Sequence, residues 1–480
     1  MWSSTALVLV LASLARYGAA QDELTVNAPA GPIVGHYAKG GSITSVREFL
    51  GVPYAKPPVA NLRWAPPQKA DAWSQPFDAG NFSAGCWNPS GDALKNSPGM
   101  EFIPWERLRP KRESEDCLTV NVWTPSKSRI PTGGAAVMVW TYGGGFSLGA
   151  SESPIYHGDN IVQNQDGVIV VSFNYRLNLF GFPAQPAFGT NVNVGLRDVR
   201  RAVEWVRDNI AAFGGNPNKI TLFGESAGSA ATDSYLYAYA SDPIIHGAIM
   251  QSGQLAMASS GLTTTTPGES WDALATAVSC PTGSSGLSCM RSIPASTLRD
   301  TMDTLNLTFS PIADGGTIFS NTEERLSAGQ FARVPVLLGS NDQEIPGDDT
   351  VSKLATRVAF TCPAKKSAGG YTKFVPTWQY RFFGDFVVYE GVEKRGPTHG
   401  SEIPQIFGTI PANAEAASVA SSKYIQKAWT TFAKDPTNGL TSLGWPKFNP
   451  LRSSLILLAY RNAATASYAL PSLYQSLCIL

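Results

Sequence analysis

Ile220-Thr221-Leu222-Phe223-Gly224-Glu225-Ser226-Ala227-Gly228 is the stretch that decides the fold. An apolar run of strand character enters Gly-x-Ser-x-Gly and leaves it through small residues able to start a helix. A serine on such a strand-to-helix turn is held out at the end of a sheet on strained backbone. The flanking glycines let strand, helix and substrate come close. The helix N-terminus behind the serine favours the negative charge that develops in acyl transfer. The pentapeptide alone is a weak signal in a chain with 45 glycines, and Gly145-Phe146-Ser147-Leu148-Gly149 repeats it. Ser147 follows three glycines with no apolar strand directly before it, so it reads as part of a loop.

Outward from the elbow, short apolar runs recur at Ala136 to Trp140, Val168 to Phe173, Ala248 to Gln251 and Val334 to Leu338. Between two of them Leu196, Val199, Val203, Val206 and Ile210 follow one another at spacings of three and four, the period of an amphipathic helix, which Gly214 and Gly215 end. Strands alternating with helices predict an α/β architecture, a mostly parallel sheet covered by helices. No repeat or low-complexity linker interrupts the chain, so residues 21–480 read as one domain. Hydrophobic residues make up 43% of the 480, enough for a large core, and 37 basic residues balance 37 acidic ones. A zero net charge argues against nucleic acid as a partner.

The chemistry expected of Ser226 needs three further parts. Tyr142-Gly143-Gly144-Gly145-Phe146 follows the strand at Trp140 and offers consecutive backbone N–H groups free of side-chain obstruction; with the N–H of Ala227 it would form an oxyanion hole. A general base must be a histidine, and of His36, His157, His246 and His399 only His399 lies late enough for the chain order serine, acid, histidine. The acid belongs just past the strand at Leu338, where Glu344 is the first choice and Asp342 the second; spacing does not separate them. A histidine of ordinary pKa would make activity fall as pH drops through about 6 to 7. Neither a histidine pair at helical spacing nor a cysteine cluster of zinc spacing occurs, so neither a metal nor a cofactor is expected.

Compartment is read from the ends and the cysteines. Residues 1–20 carry an apolar run from Ala6 to Leu14 and then Gly18, Ala19 and Ala20, the pattern of a secretory signal cut after Ala20. The run is far shorter than the roughly 20 residues a membrane span requires, and no later stretch reaches that length, so no transmembrane anchor is expected. Six cysteines in an extracellular chain imply disulfides; proximity suggests Cys86 with Cys117 and Cys280 with Cys289, leaving Cys362 for Cys478 among fifteen formal pairings. Asn81-Phe82-Ser83 and Asn306-Leu307-Thr308 are acceptors for N-glycosylation in the same compartment.

Taken together, Phe49-Leu50-Gly51-Val52-Pro53-Tyr54-Ala55, Ser114-Glu115-Asp116-Cys117-Leu118, the triple-glycine loop, Ala212-Phe213-Gly214-Gly215-Asn216-Pro217, Gly224-Glu225-Ser226-Ala227-Gly228, Met250-Gln251-Ser252-Gly253 and His399-Gly400-Ser401-Glu402-Ile403 resemble the type-B carboxylesterases, which include cholinesterases and secreted fungal esterases and lipases. The resemblance covers most of the chain and implies the α/β-hydrolase fold. It also implies Ser226 as nucleophile, Glu344 as acid, His399 as base and Gly144, Gly145 and Ala227 as oxyanion donors. Glu225 and Ser252 would be polar neighbours of the triad. Arg63 would pair with Glu115 and Arg176 with Asp198, and family precedent supports the three disulfides. The implied substrate is a small-molecule or lipid ester. Leu305 and Leu307, before Phe309, hint at the acyl pocket. A relative that kept the fold and lost its triad would be a binding module; here every triad position holds a competent residue. One departure stands out: Glu344 and His399 are only 55 positions apart, fewer than in relatives, which predicts a site with less wall and more access for bulky esters.

Overall fold

A strand such as Val168–Phe173, apolar at successive rather than alternate positions, must be covered on both faces, the situation inside a parallel sheet. The computed structural model describes residues 23–95, 105–255 and 266–478, so the signal read on residues 1–20 lies outside the described residues. It contains a small sheet of β1 (Thr25–Ala28), β2 (Gly31–Val34) and β5 (Phe77–Asp78) beside a sheet of eleven strands. The large sheet is built from β3 (His36–Ala38), β4 (Ile43–Pro53), β6 (Thr119–Pro125), β7 (Ala135–Thr141), β8 (Val168–Phe173), β9 (Gly215–Glu225), β10 (Gly247–Gln251), β11 (Val336–Asn341), β12 (Thr377–Phe382), β13 (Leu455–Leu458) and β14 (Ser467–Ala469). Their spatial order is β14-β13-β12-β11-β10-β9-β7-β8-β6-β4-β3. From β8 to β13 every neighbour is parallel; β3, β4, β6 and β14 add antiparallel edges that the sequence reading did not include.

The chain passes from β7 outward to β8 and then crosses back over β7 to β9, so the winding direction reverses between β7 and β9. Crevices at the carboxyl ends of such strands are where open α/β sheets bind ligands. Here β7 ends at the triple-glycine loop and β9 ends at Ser226.

The predicted helix runs from Val194 to Asn209, tightens into a 3-10 turn over Ile210–Phe213, and stops where Gly214 takes φ 92°. The strand expected at Val334 to Leu338 is displaced to Val336–Asn341. Pro335 has no N–H to donate, so the ladder starts after it, and polar Ser340 and Asn341 extend it. The shift brings the strand's end to within three residues of Glu344.

All three disulfides join the expected partners, Cys86–Cys117, Cys280–Cys289 and Cys362–Cys478. Arg63 binds Glu115 through two hydrogen bonds of 2.6 Å, and Arg176 binds Asp198 through two of 2.8 and 2.7 Å. The Arg176–Asp198 pair is buried, and Arg63 is buried with Glu115 half-buried; bidentate geometry and full pairing offset the cost of removing charge from water. The second pair braces the start of the covering helix Val194–Asn209 against the end of β8.

Candidate active site

Ser226 occupies φ 56° and ψ −125° between β9 and the helix Ala227–Ala238. A non-glycine residue there is strained, and its neighbours hold it in place. A Cβ at Gly224 would come 2.5 Å from the backbone of Gly228, and one at Gly228 would come 2.0 Å from the Thr141 carbonyl. Any side chain at either position would push β7, β9 and the helix apart. The Ser226 N–H donates to the Gln251 carbonyl at 2.8 Å, tying the elbow to the end of β10.

The triple-glycine loop lies against this elbow. A Cβ at Gly143 would meet the Glu225 carboxylate at 2.7 Å and Ser226 Cβ at 2.9 Å, so the loop reaches the serine only because it is bare there. Gly144 (φ 103°) and Gly145 (φ 62°) follow in left-handed backbone and border the cleft. Ala227 opens the helix behind Ser226.

His399 arrives from the far end of the chain on the turn Thr398–Ser401. Its Nδ1 lies 2.7 Å from Glu344 Oε2, its backbone N–H donates to the Glu344 carbonyl at 3.0 Å, and the Phe360 ring packs 4.9 Å from its centre. Glu344 is fully buried and its other oxygen accepts from the Asn341 N–H at 2.7 Å. Asp342 is engaged elsewhere, accepting from Arg381 Nε at 2.6 Å. Of the two carboxylates that spacing leaves open, Glu344 is the one in contact with His399.

Sequence reasoning did not single out the role of Glu402. This carboxylate, three residues past His399, is buried; Asn341 Nδ2 donates to it at 2.6 Å and Gln251 Nε2 at 3.2 Å, and Gln251 in turn accepts from Trp429 Nε1 at 3.1 Å. Asn341 Nδ2 also donates to the Thr398 carbonyl at 2.7 Å, so one amide holds the histidine turn to the end of β11. Glu225, Gln251 and Asn341 end three adjacent strands, β9, β10 and β11, a neighbourhood that only the strand order reveals.

Three buried carboxylates therefore surround one imidazole. His399 Nε2 lies 3.1 Å from Glu225 Oε1, on the side away from Glu344. Burial disfavours the His399 cation, but the charges of Glu225, Glu344 and Glu402 outweigh it and push the imidazole up to about 10. Burial pushes Glu225 up to about 8, with the His399 charge opposing and Glu402 and Glu344 adding, and burial with Glu344 raises Glu402. The imidazole therefore lies above the range of about 6 to 7 expected of an ordinary histidine, because buried carboxylates face both of its ring nitrogens. Ser252, the other expected neighbour, is buried with φ 51° and donates its backbone N–H to the Gly339 carbonyl at 2.9 Å, bridging the ends of β10 and β11.

Ser226, Glu225 and His399 open into a cleft of ≈ 450 Å³ with a predominantly apolar wall that includes Leu108, Leu148, Ile155, Met302, Leu307 and Phe309. Leu307 and Phe309 belong to it as anticipated, whereas Leu305 turns outward and is 44% exposed. Ser147 is also on the wall, its hydroxyl donating to the Gly145 carbonyl at 3.3 Å. Asn306 stands exposed at the edge of the same cleft, and Asn81 is exposed elsewhere. Among the described residues, no cluster of three or more His, Cys, Asp or Glu is arranged to hold a metal ion, and no helix is long and apolar enough to cross a membrane. A strained serine, a carboxylate-held imidazole and a bare glycine loop at one apolar cleft are the parts acyl transfer requires.

Comparison with known proteins agrees with that chemistry. Residues 22–348 match the model of the carboxylesterase family, a match that runs just past Glu344. The chain is 35% identical over 472 residues to secreted lipase 5 of Gibberella zeae, covering 87% of each protein. It is 32% identical over 477 residues to the chlorogenic acid esterase of Aspergillus niger, covering 91% of this chain and 90% of the relative. Among solved structures, a PNB esterase superposes with a TM-score of 0.76 at 27% identity, over 93% of this chain and 97% of that one.

Proposed function

The chain belongs to the carboxylesterase family and is a carboxylic ester hydrolase, and we propose that it works through a Ser226–His399–Glu344 triad with an oxyanion hole of Gly144, Gly145 and Ala227. The observation that carries this reading is the 2.7 Å contact of His399 Nδ1 with buried Glu344 beside a strained Ser226. Glu344 fixes the tautomer that carries its proton on Nδ1, which leaves the accepting lone pair on Nε2.

With Nε2 deprotonated, His399 is neutral and competent as a base. It takes the Ser226 proton as Oγ attacks the ester carbonyl, and the N–H groups of Gly144, Gly145 and Ala227 hold the oxyanion. Protonated His399 then gives its proton to the departing alcohol. Water activated by the same nitrogen releases the acid from the acyl-enzyme. Glu225 and Glu402 favour the imidazolium that forms in each half-reaction.

The wall of Leu108, Leu148, Ile155, Met302, Leu307 and Phe309 suits small-molecule or lipid esters with an apolar acyl part. The leader pattern in residues 1–20 and three disulfides support action outside the cell. Turnover of nitrophenyl esters of increasing acyl length, set against the matching amides and thioesters, tests the proposal. Esters are expected to be cleaved fastest; hydrolysis of amides or thioesters in preference to every ester would overturn it.

A further inference from the structure

The helix Ala295–Thr304 ends at the cleft edge in a turn where Leu307 N–H bonds the Met302 carbonyl at 2.9 Å and Asn306 takes φ 51°. Asparagine suits that left-handed position, so backbone conformation alone accounts for its presence there. It does not account for Thr308, which completes Asn-Leu-Thr two residues on. All three residues border the cleft that holds Ser226 and His399, and Asn306 and Thr308 are exposed. Asn81, in the other acceptor triplet, is exposed but does not border that cleft.

We propose that Asn306 carries an N-linked glycan that stands at the mouth of the catalytic cleft and screens incoming esters by size. The inference rests on the reading of the chain as a secreted ester hydrolase. In the modification, the Asn306 amide nitrogen forms a bond to the anomeric carbon of a lipid-diphosphate-linked oligosaccharide. The carbon–oxygen bond to the diphosphate breaks, and the lipid diphosphate leaves with the amide proton taken up by the departing group or solvent. The attached sugars begin beside Leu307 and Thr308, on the cleft wall, and next to Leu305, whose outward apolar face they cover. An ester that fits within ≈ 450 Å³ passes beneath them. One that projects beyond Thr308 must displace them.

The test uses the full chain secreted from a eukaryotic host. Glycopeptide mass spectrometry should find sugar on the peptide containing Asn306. Trimming the folded enzyme to a single sugar with an endoglycosidase should raise the kcat/KM ratio of a bulky to a small ester by about tenfold. The same rise is expected in Asn81→Gln, which keeps only the Asn306 glycan. The rates at which bulky and small phosphonates label Ser226 report access without requiring ester turnover, so a failure of the esterase reading is seen separately. An unmodified Asn306 peptide would overturn the proposal, as would an occupied Asn306 whose trimming leaves both the ester ratio and the labelling ratio unchanged.

Discussion

Ser226 and Ser147 sit in the same pentapeptide pattern and on the wall of the same cleft, yet their backbones have nothing in common. At Ser226 the glycines two residues either side are packed against backbone so closely that a Cβ would come within 2.0 to 2.5 Å of it. At Ser147 the preceding glycine, Gly145, has nothing within 4 Å of where a Cβ would stand. The following glycine, Gly149, is pressed by the Tyr142 ring, where a Cβ would come within 2.6 Å, so the two pentapeptides differ in that both glycines of the first are pinned by backbone on either side of a strained serine. What makes an elbow is the strand before it, the helix after it and the β7 end against which both press.

The sharpest way to break this comparison is to remove each hydroxyl. Ser226→Ala should lose on the order of 10⁶ in kcat and all labelling by a phosphonate, because a triad fails as a unit. Ser147→Ala should keep its labelling and lose no more than about tenfold, the ordinary cost of altering a cleft wall. Full activity in the first variant would remove the basis of the assignment.

Glu344 and Asp342 form the same kind of pair, two carboxylates on one loop with different partners. Glu344→Gln should cost about 10⁴ in kcat, since the imidazole loses both its orientation and its counter-charge. Asp342→Asn, whose partner is Arg381 on β12, should stay within about tenfold, the pair being partly exposed and of small energetic value. Steady-state kinetics of the two purified variants decide it.

The glycines give a third contrast, in stability. Gly228→Ala forces a Cβ into the Thr141 carbonyl and should destabilise the fold by about 1 to 3 kcal/mol, as overpacking does. Gly145→Ala meets open space and should cost only about 1 kcal/mol for its left-handed backbone. Denaturant melts of both variants measure the difference.

The smallest effect expected is a displaced pH profile. His399 is raised above its ordinary value, so it keeps its proton to higher pH, and activity that needs the neutral imidazole rises later than an unperturbed histidine would allow. Glu225→Gln removes the foremost raising charge while keeping the side chain's shape. The rise should move to lower pH by about one unit. A profile of kcat/KM against pH that stays in place would mean that Glu225 does not govern the base.

Much of this was legible because the chemistry depends on rare residue types in marked settings. Ser226 is flanked by glycines after an apolar strand, and His399 is the single histidine past residue 246. The supporting groups were not legible. Phe360 reaches His399, and Trp429 reaches Gln251, only through tertiary packing, and Gln251 and Asn341 look like ordinary polar residues until their strands are known to be neighbours. The start of β11 is displaced because an apolar run shows burial and not where hydrogen bonding starts, and Pro335 is the cue for it; its end is displaced because polar Ser340 and Asn341 extend the strand beyond the apolar run. The short interval after Glu344 was visible as a count. What it contains, a helix at Thr350–Thr356 with Val351 75% and Leu354 52% exposed on its outer side and Phe360 against His399 further on, was not.

The bond between Cys362 and Cys478 encloses 116 positions of chain, and His399 lies inside that loop while Ser226 and Glu344 lie outside it. A protease that cuts an exposed turn between residues 363 and 477 would therefore break the backbone without releasing either piece. Nicked enzyme should migrate as one species until thiol is added and as two afterwards, and it should go on turning over substrate in the interval. The part of the molecule that supplies the base is thus tolerant of a severed chain in an oxidising medium and vulnerable to the same cut in a reducing one.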